Sequence, residues 1–197
     1  MIEVEDLKLT YPGAATPAVR GMSFEIAEAE VFGVLGPNGA GKSTLQKILI
    51  GLLRGWRGRV EVLDRPLQDW KADDYRTIGV GSEMPNHDLR LTARENQQFF
   101  RSLHDGETQS VEEALALVGL EDEADKRVFA FSKGMKIRLN IARSLLHRPR
   151  VWFLDEPTAG LDPVNAVAIR VTRGGLPPRS AAGSRWARGG RWCPWYR

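Results

Sequence analysis

Hydrophobic and polar residues alternate along the first part of the chain, and residues 2–10 (IEVEDLKLT) and 24–26 (FEI) read as short strands with a period of two. Residues 31–35 (VFGVL) instead form a continuous apolar run, the pattern of a strand buried on both faces of a parallel sheet. Residues 59–63 and 77–81 are further strands by the same reading. After Thr92 the period changes. Thr92 and Glu95 make a Thr-x-x-Glu capping box that opens a helix over 92–103, and Val111, Ala114, Leu115 and Val118 share one face at helical spacing. A helix over 132–147 stops before Pro149, and a second buried strand follows at 151–154. The pattern predicts an α/β fold in which a helical subdomain, about residues 84–148, interrupts the strands. Neither a repeat nor a low-complexity segment precedes Val171.

Between the run 31–35 and a helix-like stretch over 44–53 stands GPNGAGKST, residues 36–44. Gly36, Gly39 and Gly41 allow a sharp turn that brings backbone N–H groups to phosphate oxygens, and the helix behind directs its positive dipole end at them. Lys42 then reaches the β- and γ-phosphates, the Ser43 hydroxyl joins the shell of a Mg²⁺ ion, and Thr44 offers a further hydroxyl. Strand, loop and helix occur in the order that nucleotide binding requires. The strand 151–154 ends in Asp155 and Glu156, carboxylates at the C-terminal end of a buried strand, where a nucleotide hydrolase holds its metal. Asp155 is the candidate Mg²⁺ partner, directly or through water, and Glu156 the candidate that orients or deprotonates the attacking water.

A length of 197 residues suits one sizeable core with a smaller subdomain. The formal charge of +3 suggests an anionic macromolecular partner until it is divided: residues 171–197 hold six arginines and no acid, so that segment is +6 and residues 1–170 are −3. The main body therefore lacks the basic footprint of a nucleic-acid binder. Cys193 is the single cysteine, which excludes an internal disulfide and a cysteine-based metal cluster. No run of about 18 apolar residues occurs and the first residues carry no apolar leader block, which predicts a soluble, cytoplasmic chain. Trp56, Trp70 and Trp152 read as packing residues.

GPNGAGKST, then FSKGMKIRLNIARSL (131–145), then FLDEPTAGLDP (153–163) together resemble the ATP-binding subunits of ABC transporters, over about residues 1–170. The resemblance implies a P-loop NTPase core with an N-terminal antiparallel β subdomain and an inserted helical subdomain. It implies ATP and Mg²⁺ as ligands, with Gly36, Asn38, Gly39, Gly41, Lys42, Ser43 and Thr44 on the nucleotide. Tyr11 stands where the family places a ring that stacks on adenine; the alternative is a strand-end tyrosine packed on its own sheet. Ser132 and Gly134, in the signature loop, would contact the γ-phosphate of ATP held by a second subunit, and Asp162 would lie in a loop at that interface. The partners implied are a second ATP-binding subunit, identical or paralogous, and a separate transmembrane permease, with the chain peripheral on the inner face of the cell membrane. A competing class is an ABC ATPase acting as a nucleotide-dependent switch in translation or DNA repair.

Three departures from the family pattern matter. Phe131, Lys133 and Met135 replace the usual signature residues around the retained Ser132 and Gly134. Glu83 stands where most members carry a glutamine, and its carboxylate can reach Mg²⁺ or can lie on a solvated loop. Both substitutions are similar to the subgroup that exports drugs from bacteria. The third departure is that His87, His104 and His147 all precede Asp155, so no histidine stands where the family has one that contacts the γ-phosphate; His87 and His104 read as surface residues and His147 as a helix end. Residues 171–197 have neither strand nor helix pattern and read as a disordered basic tail outside the family domain. A tail with Trp186, Trp192 and Trp195 that binds lipid or single-stranded nucleic acid competes with a shift of reading frame near Arg170. The shifted frame is the reading taken, and it leaves the core sheet incomplete at its C-terminus with turnover of ATP impaired.

Overall fold

A computed structural model describes residues 1–30, 32–34, 39–81 and 86–154. The chain divides into two compact units, the first containing Met1–Tyr75 and the second beginning at Arg76.

In the first unit β1 (Ile2–Leu9) lies between β2 (Val19–Ile26) and β3 (Arg57–Val62), and the two-residue β4 (Arg65–Pro66) extends the sheet in the order β2-β1-β3-β4. All the pairings are antiparallel. Ile2, Val4, Leu7 and Leu9 are buried with Val19, Val60 and Val62, so one face of the sheet is core. The spacing 2, 4, 7, 9 breaks the period of two because the register shifts between Val4 and Leu7, where Asp6 adopts a φ of 46°. This bulge keeps Leu7 and Leu9 on the buried face. Gly58 sits opposite it with a φ of 107°, and a Cβ there would come within 2.5 Å of the Glu5 carbonyl oxygen. Leu63 and Asp64, both at positive φ, make the two-residue turn from β3 to β4, the geometry that matches strand twist. Helix α1 (Lys42–Leu49) buries Leu45, Ile48 and Leu49.

In the second unit β5 (Ile78–Gly81) and β6 (Val151–Leu154) pair in parallel, Ile78 with Val151 through Gly81 with Leu154. Helices α2 (Ala93–Ser102), α3 (Val111–Leu117) and α4 (Lys133–Leu145) come between them in sequence. Thr92 and Ser110 each form a complete capping box, as Thr-x-x-Glu and Ser-x-x-Glu spacings require. Ala93, Val111, Leu115, Leu120, Ala124, Val128, Phe131 and Leu139 close into one core cluster. Gly79 lets the end of α4 approach β5, since a Cβ there would stand 2.4 Å from the Ser144 carbonyl oxygen. Trp152 packs beside it and donates its Nε1–H to the Ser144 hydroxyl at 2.8 Å.

Two expectations are corrected. Phe32–Val34, expected within a buried strand, join no ladder among the described residues; Phe32 and Val34 are half-buried and Gly33 is exposed. The Phe32 ring stacks on Phe24 at 4.9 Å, so its apolar character serves side-chain packing, and Val31 and Leu35 at the ends of the run lie outside the described residues. His87, expected at the surface, is 8% exposed, and its Nε2 lies 3.1 Å from the Lys136 carbonyl oxygen within α4. Residues 155–197, with the tail, lie outside the described residues.

Burial holds the His87 imidazole at a pKa of about 4, the Lys136 carbonyl opposing that shift only in part. The folded value lies below the unfolded one, so the unfolded chain takes up the proton first and stability is lost as pH falls from about 6.5 toward 4, by up to about 1.4 kcal/mol per pH unit. His104, also lowered by burial, adds a loss of the same sign. Urea unfolding at pH 7.5 and 5.5 checks this: the midpoint drops at the lower pH, and the drop is smaller in His87→Gln.

Candidate functional site

The loop between β1 and β2 and the loop before α1 meet at a close backbone contact. Gly41 adopts a φ of 86°, and a Cβ on it would stand 2.3 Å from the Ala18 carbonyl oxygen and 3.8 Å from Val19 Cγ2. Only glycine meets both conditions, which turns the chain into α1 directly beneath the β1–β2 loop. Gly39 also has positive φ, 82°, and its Cβ side meets nothing within 4 Å among the described residues. Tyr11, at the exit of β1, reaches the same loop: its hydroxyl is 3.2 Å from Thr44 Oγ1. The ring stays 38% exposed, so it neither packs fully on its own sheet nor closes the site.

The start of α1 differs from that of its counterparts. Thr92, Ser110 and Ser132 cap α2, α3 and α4 with side-chain oxygens, whereas Gly41 offers α1 none, and the first turn of α1 carries no acid. An α-helix leaves its first N–H groups without intrahelical acceptors, and an uncapped, acid-free start with its positive dipole end is suited to an anion. Lys42 and Thr44 are half-buried there and Ser43 is exposed. Gly36 and Asn38 lie outside the described residues.

In the second unit the parallel pairing of β5 and β6 brings Gly81 opposite Leu154. The chain therefore leaves both strands at the same end, toward Glu83 after β5 and toward Asp155 and Glu156 after β6, the end at which open α/β sheets bind ligands. Glu83, Asp155, Glu156 and Asp162 themselves lie outside the described residues. Ser132 is the exposed N-cap of α4, and its hydroxyl accepts from the Met135 N–H at 3.2 Å. A hydroxyl used as an acceptor keeps its own hydrogen to donate. Gly134, in the first turn, is half-buried. Among the described residues no group of three His, Cys, Asp or Glu side chains is placed to hold a metal ion.

Sequence reading passed over the polar groups that fasten the segment beyond Glu83. Arg143 donates to the Asn86 carbonyl at 3.2 Å and to Asn140 Oδ1 at 2.5 Å while lying 4.5 Å over the Phe100 ring. Asn96 accepts from the Asp88 N–H and donates to the Asp88 carbonyl, each at 3.0 Å, and Gln97 donates to the Leu139 carbonyl at 2.9 Å. The signal was present: Asn96 and Gln97 fall on the buried face of α2 with Ala93, three and four residues away, where polar residues need internal partners.

Residues 19–159 match the family model described as ABC transporter. A fluoroquinolones export ATP-binding protein of Mycobacterium tuberculosis is 53% identical over 170 residues, covering 86% of this chain and 56% of the relative. The Nod factor export ATP-binding protein I of Rhizobium meliloti is 41% identical over 166 residues, 82% of this chain and 50% of the relative. A bacitracin transport ATP-binding protein of Bacillus licheniformis is 37% identical over 173 residues, 86% and 55% respectively. The chain thus spans about half the length of the curated relatives it matches. Among solved structures, a dimeric ATP-binding cassette in a post-hydrolysis state with ADP and Pi aligns with a TM-score of 0.71 at 26% identity, over 84% of this chain and 78% of that one. The protein cbiO1 from Clostridium perfringens, part of the ABC transporter complex cbiONQ, aligns with the same score at 32% identity, over 84% and 68%.

Gly41→Ala places a methyl group against the Ala18 carbonyl in a left-handed backbone, so it destabilises the first unit by more than about 1 kcal/mol. Gly39→Ala meets no neighbour among the described residues and carries the backbone term. Thermal unfolding followed by circular dichroism, with a lower midpoint for Gly41→Ala than for Gly39→Ala, checks the difference.

Proposed function

Since the chain belongs to the ABC transporter family, we propose that it is an ATP-binding subunit that hydrolyses ATP to drive a separate membrane-spanning exporter. The observation that carries this reading is the uncapped, acid-free start of α1 behind Gly41, in a chain similar to export ATP-binding proteins over 86% of its length. Residues 1–170 would be the ATP-binding domain, with the helical subdomain at about 84–148. The names of the relatives favour export, and drug-like compounds as the class transported.

In this reading the triphosphate lies along Gly36, Asn38, Gly39 and Gly41, with backbone N–H groups and Lys42 on its oxygens. Tyr11 stacks on the base while its hydroxyl, bonded to Thr44, ties the ring's position to the phosphate loop. By the family resemblance Ser43 and Asp155 would hold Mg²⁺, with Glu83 as a further ligand. Bound there, Mg²⁺ supplies positive charge to the β- and γ-phosphates. Glu156 orients the attacking water and accepts its proton. Ser132 turns its remaining hydroxyl hydrogen, and α4 its N-terminal dipole, toward the γ-phosphate on a second subunit, with Gly134 allowing close approach and Asp162 at the interface. Two subunits would therefore face each other head to tail on the cytoplasmic side of a permease. No helix among the described residues is long and apolar enough to cross a membrane, which fits a separate spanning partner.

Titration of the purified chain with a fluorescent ATP analogue in Mg²⁺ tests the reading. Lys42→Ala weakens binding by tenfold or more, about 1.4 kcal/mol. Tyr11→Ala weakens it by about five- to a hundredfold through lost stacking, whereas Tyr11→Phe, which loses only the Thr44 bond, changes it by less than about fivefold. Equal binding by the wild type and Lys42→Ala would overturn the proposed site.

A further inference from the structure

The strand register sorts charge by sign on the solvent face of the N-terminal sheet. Lys8 of β1 stands directly opposite Arg20 of β2 and Arg57 of β3, so three exposed cations form a row across three strands. Toward the other end of the same face Glu3 stands opposite Glu25 and Glu61, a row of three carboxylates. These positions alternate with buried Ile2, Val4, Leu7 and Leu9, which puts both rows on the face away from the core. Between them Lys8 pairs with Asp6 at 2.7 Å, and Arg59 pairs with Glu61 at 2.9 Å and Glu5 at 3.7 Å.

A merely solvated face does not call for this order. Like charges directly opposite one another disfavour strand pairing, and exchanging one residue between the rows would turn repulsive neighbours into attractive ones. The arrangement does, however, have a direction relative to the phosphate loop. The cationic row lies at the end of β1 that runs through Thr10 to Tyr11, and at the start of β2, just after the Ala18 carbonyl that packs against Gly41. Arg20 reaches back along this loop, its Nε donating to the Pro17 carbonyl at 3.5 Å. The carboxylate row lies at the opposite end of the strands.

We propose that the Arg20–Lys8–Arg57 row guides the polyphosphate of an incoming nucleotide toward Gly41 and Thr44, raising the rate of association without touching the bound ligand. The proposal rests on the ATP-binding reading above. Exposed charges act on a mobile anion over about a Debye length, about 10 Å at 0.1 M salt, and a field that is positive beside the loop and negative at the far end of the face biases the approach. Such steering changes the association rate and vanishes with salt, whereas a contact in the complex changes the dissociation rate.

Stopped-flow association of N-methylanthraniloyl-ATP with the full chain tests it at low and high ionic strength. Removing two cations in Arg20→Gln/Arg57→Gln lowers the association rate constant about two- to fivefold in low salt, the gap closes in high salt, and the dissociation rate is unchanged. Removing two opposing acids in Glu3→Gln/Glu25→Gln raises the association rate in low salt, and decides the matter if the first variant does not fold. An association rate that neither pair alters, or a loss equal at both ionic strengths, overturns the guide while leaving nucleotide binding intact. Failure of the wild type to bind the analogue overturns the binding reading and the guide with it.

Discussion

The contact of Gly41 with the Ala18 carbonyl is the constraint on which the first unit turns. It sets the β1–β2 loop directly on the start of α1, so the segment leaving β1 and the first turn of the helix share one small region. Tyr11 and Thr44, 33 residues apart in sequence, are bonded because of it. A larger residue at 41 would push the two loops apart and a right-handed φ would aim the helix elsewhere, so backbone freedom at one position decides where the helix dipole points.

The second unit reaches its geometry by different means. Here small residues let elements approach, as Gly79 does beneath the end of α4, while buried polar groups specify which elements they are. Asn96, His87 and Arg143 make bonds to backbone carbonyls that bind residues 86–88 to α2 and α4, and Gln97 binds α2 to α4 through the Leu139 carbonyl. Buried amides and imidazoles tolerate little displacement, since a lost partner leaves a desolvated group unsatisfied. The segment that follows Glu83 is thereby joined to the helix that Ser132 caps, and in the proposed function these belong to the responses to one's own nucleotide and to the partner's.

Much of this was legible in the chain itself because it rests on local chemistry. The capping boxes at Thr92 and Ser110, the helix end before Pro149 and the glycines at 39 and 41 report conformations settled within a few residues. The β-bulge at Asp6 was less legible: only the pairing of β1 with two neighbours shows why the apolar positions skip from 4 to 7. The run 31–35 was less legible for the converse reason, since apolar character reports burial and not which strand stands alongside, and Phe32–Val34 join no ladder among the described residues. His87 looked exposed because its sequence neighbours are polar, while the groups that enclose it come from α4, some 49 residues later.

By itself the sequence determined the family, because GPNGAGKST, FSKGMKIRLNIARSL and FLDEPTAGLDP stand in the order shared by ABC transporter ATP-binding subunits, and spacing within short segments carries that pattern. It also determined the helix starts, through side chains that bond their own backbone. Only the tertiary structure decided that α1 begins uncapped beneath the Ala18 carbonyl, that Tyr11 is tied to Thr44, and that acids and bases are sorted to opposite ends of one sheet face. Each of these depends on register or close approach between segments distant in the chain, and such pairings are fixed by the whole packed core and not by any one segment of it.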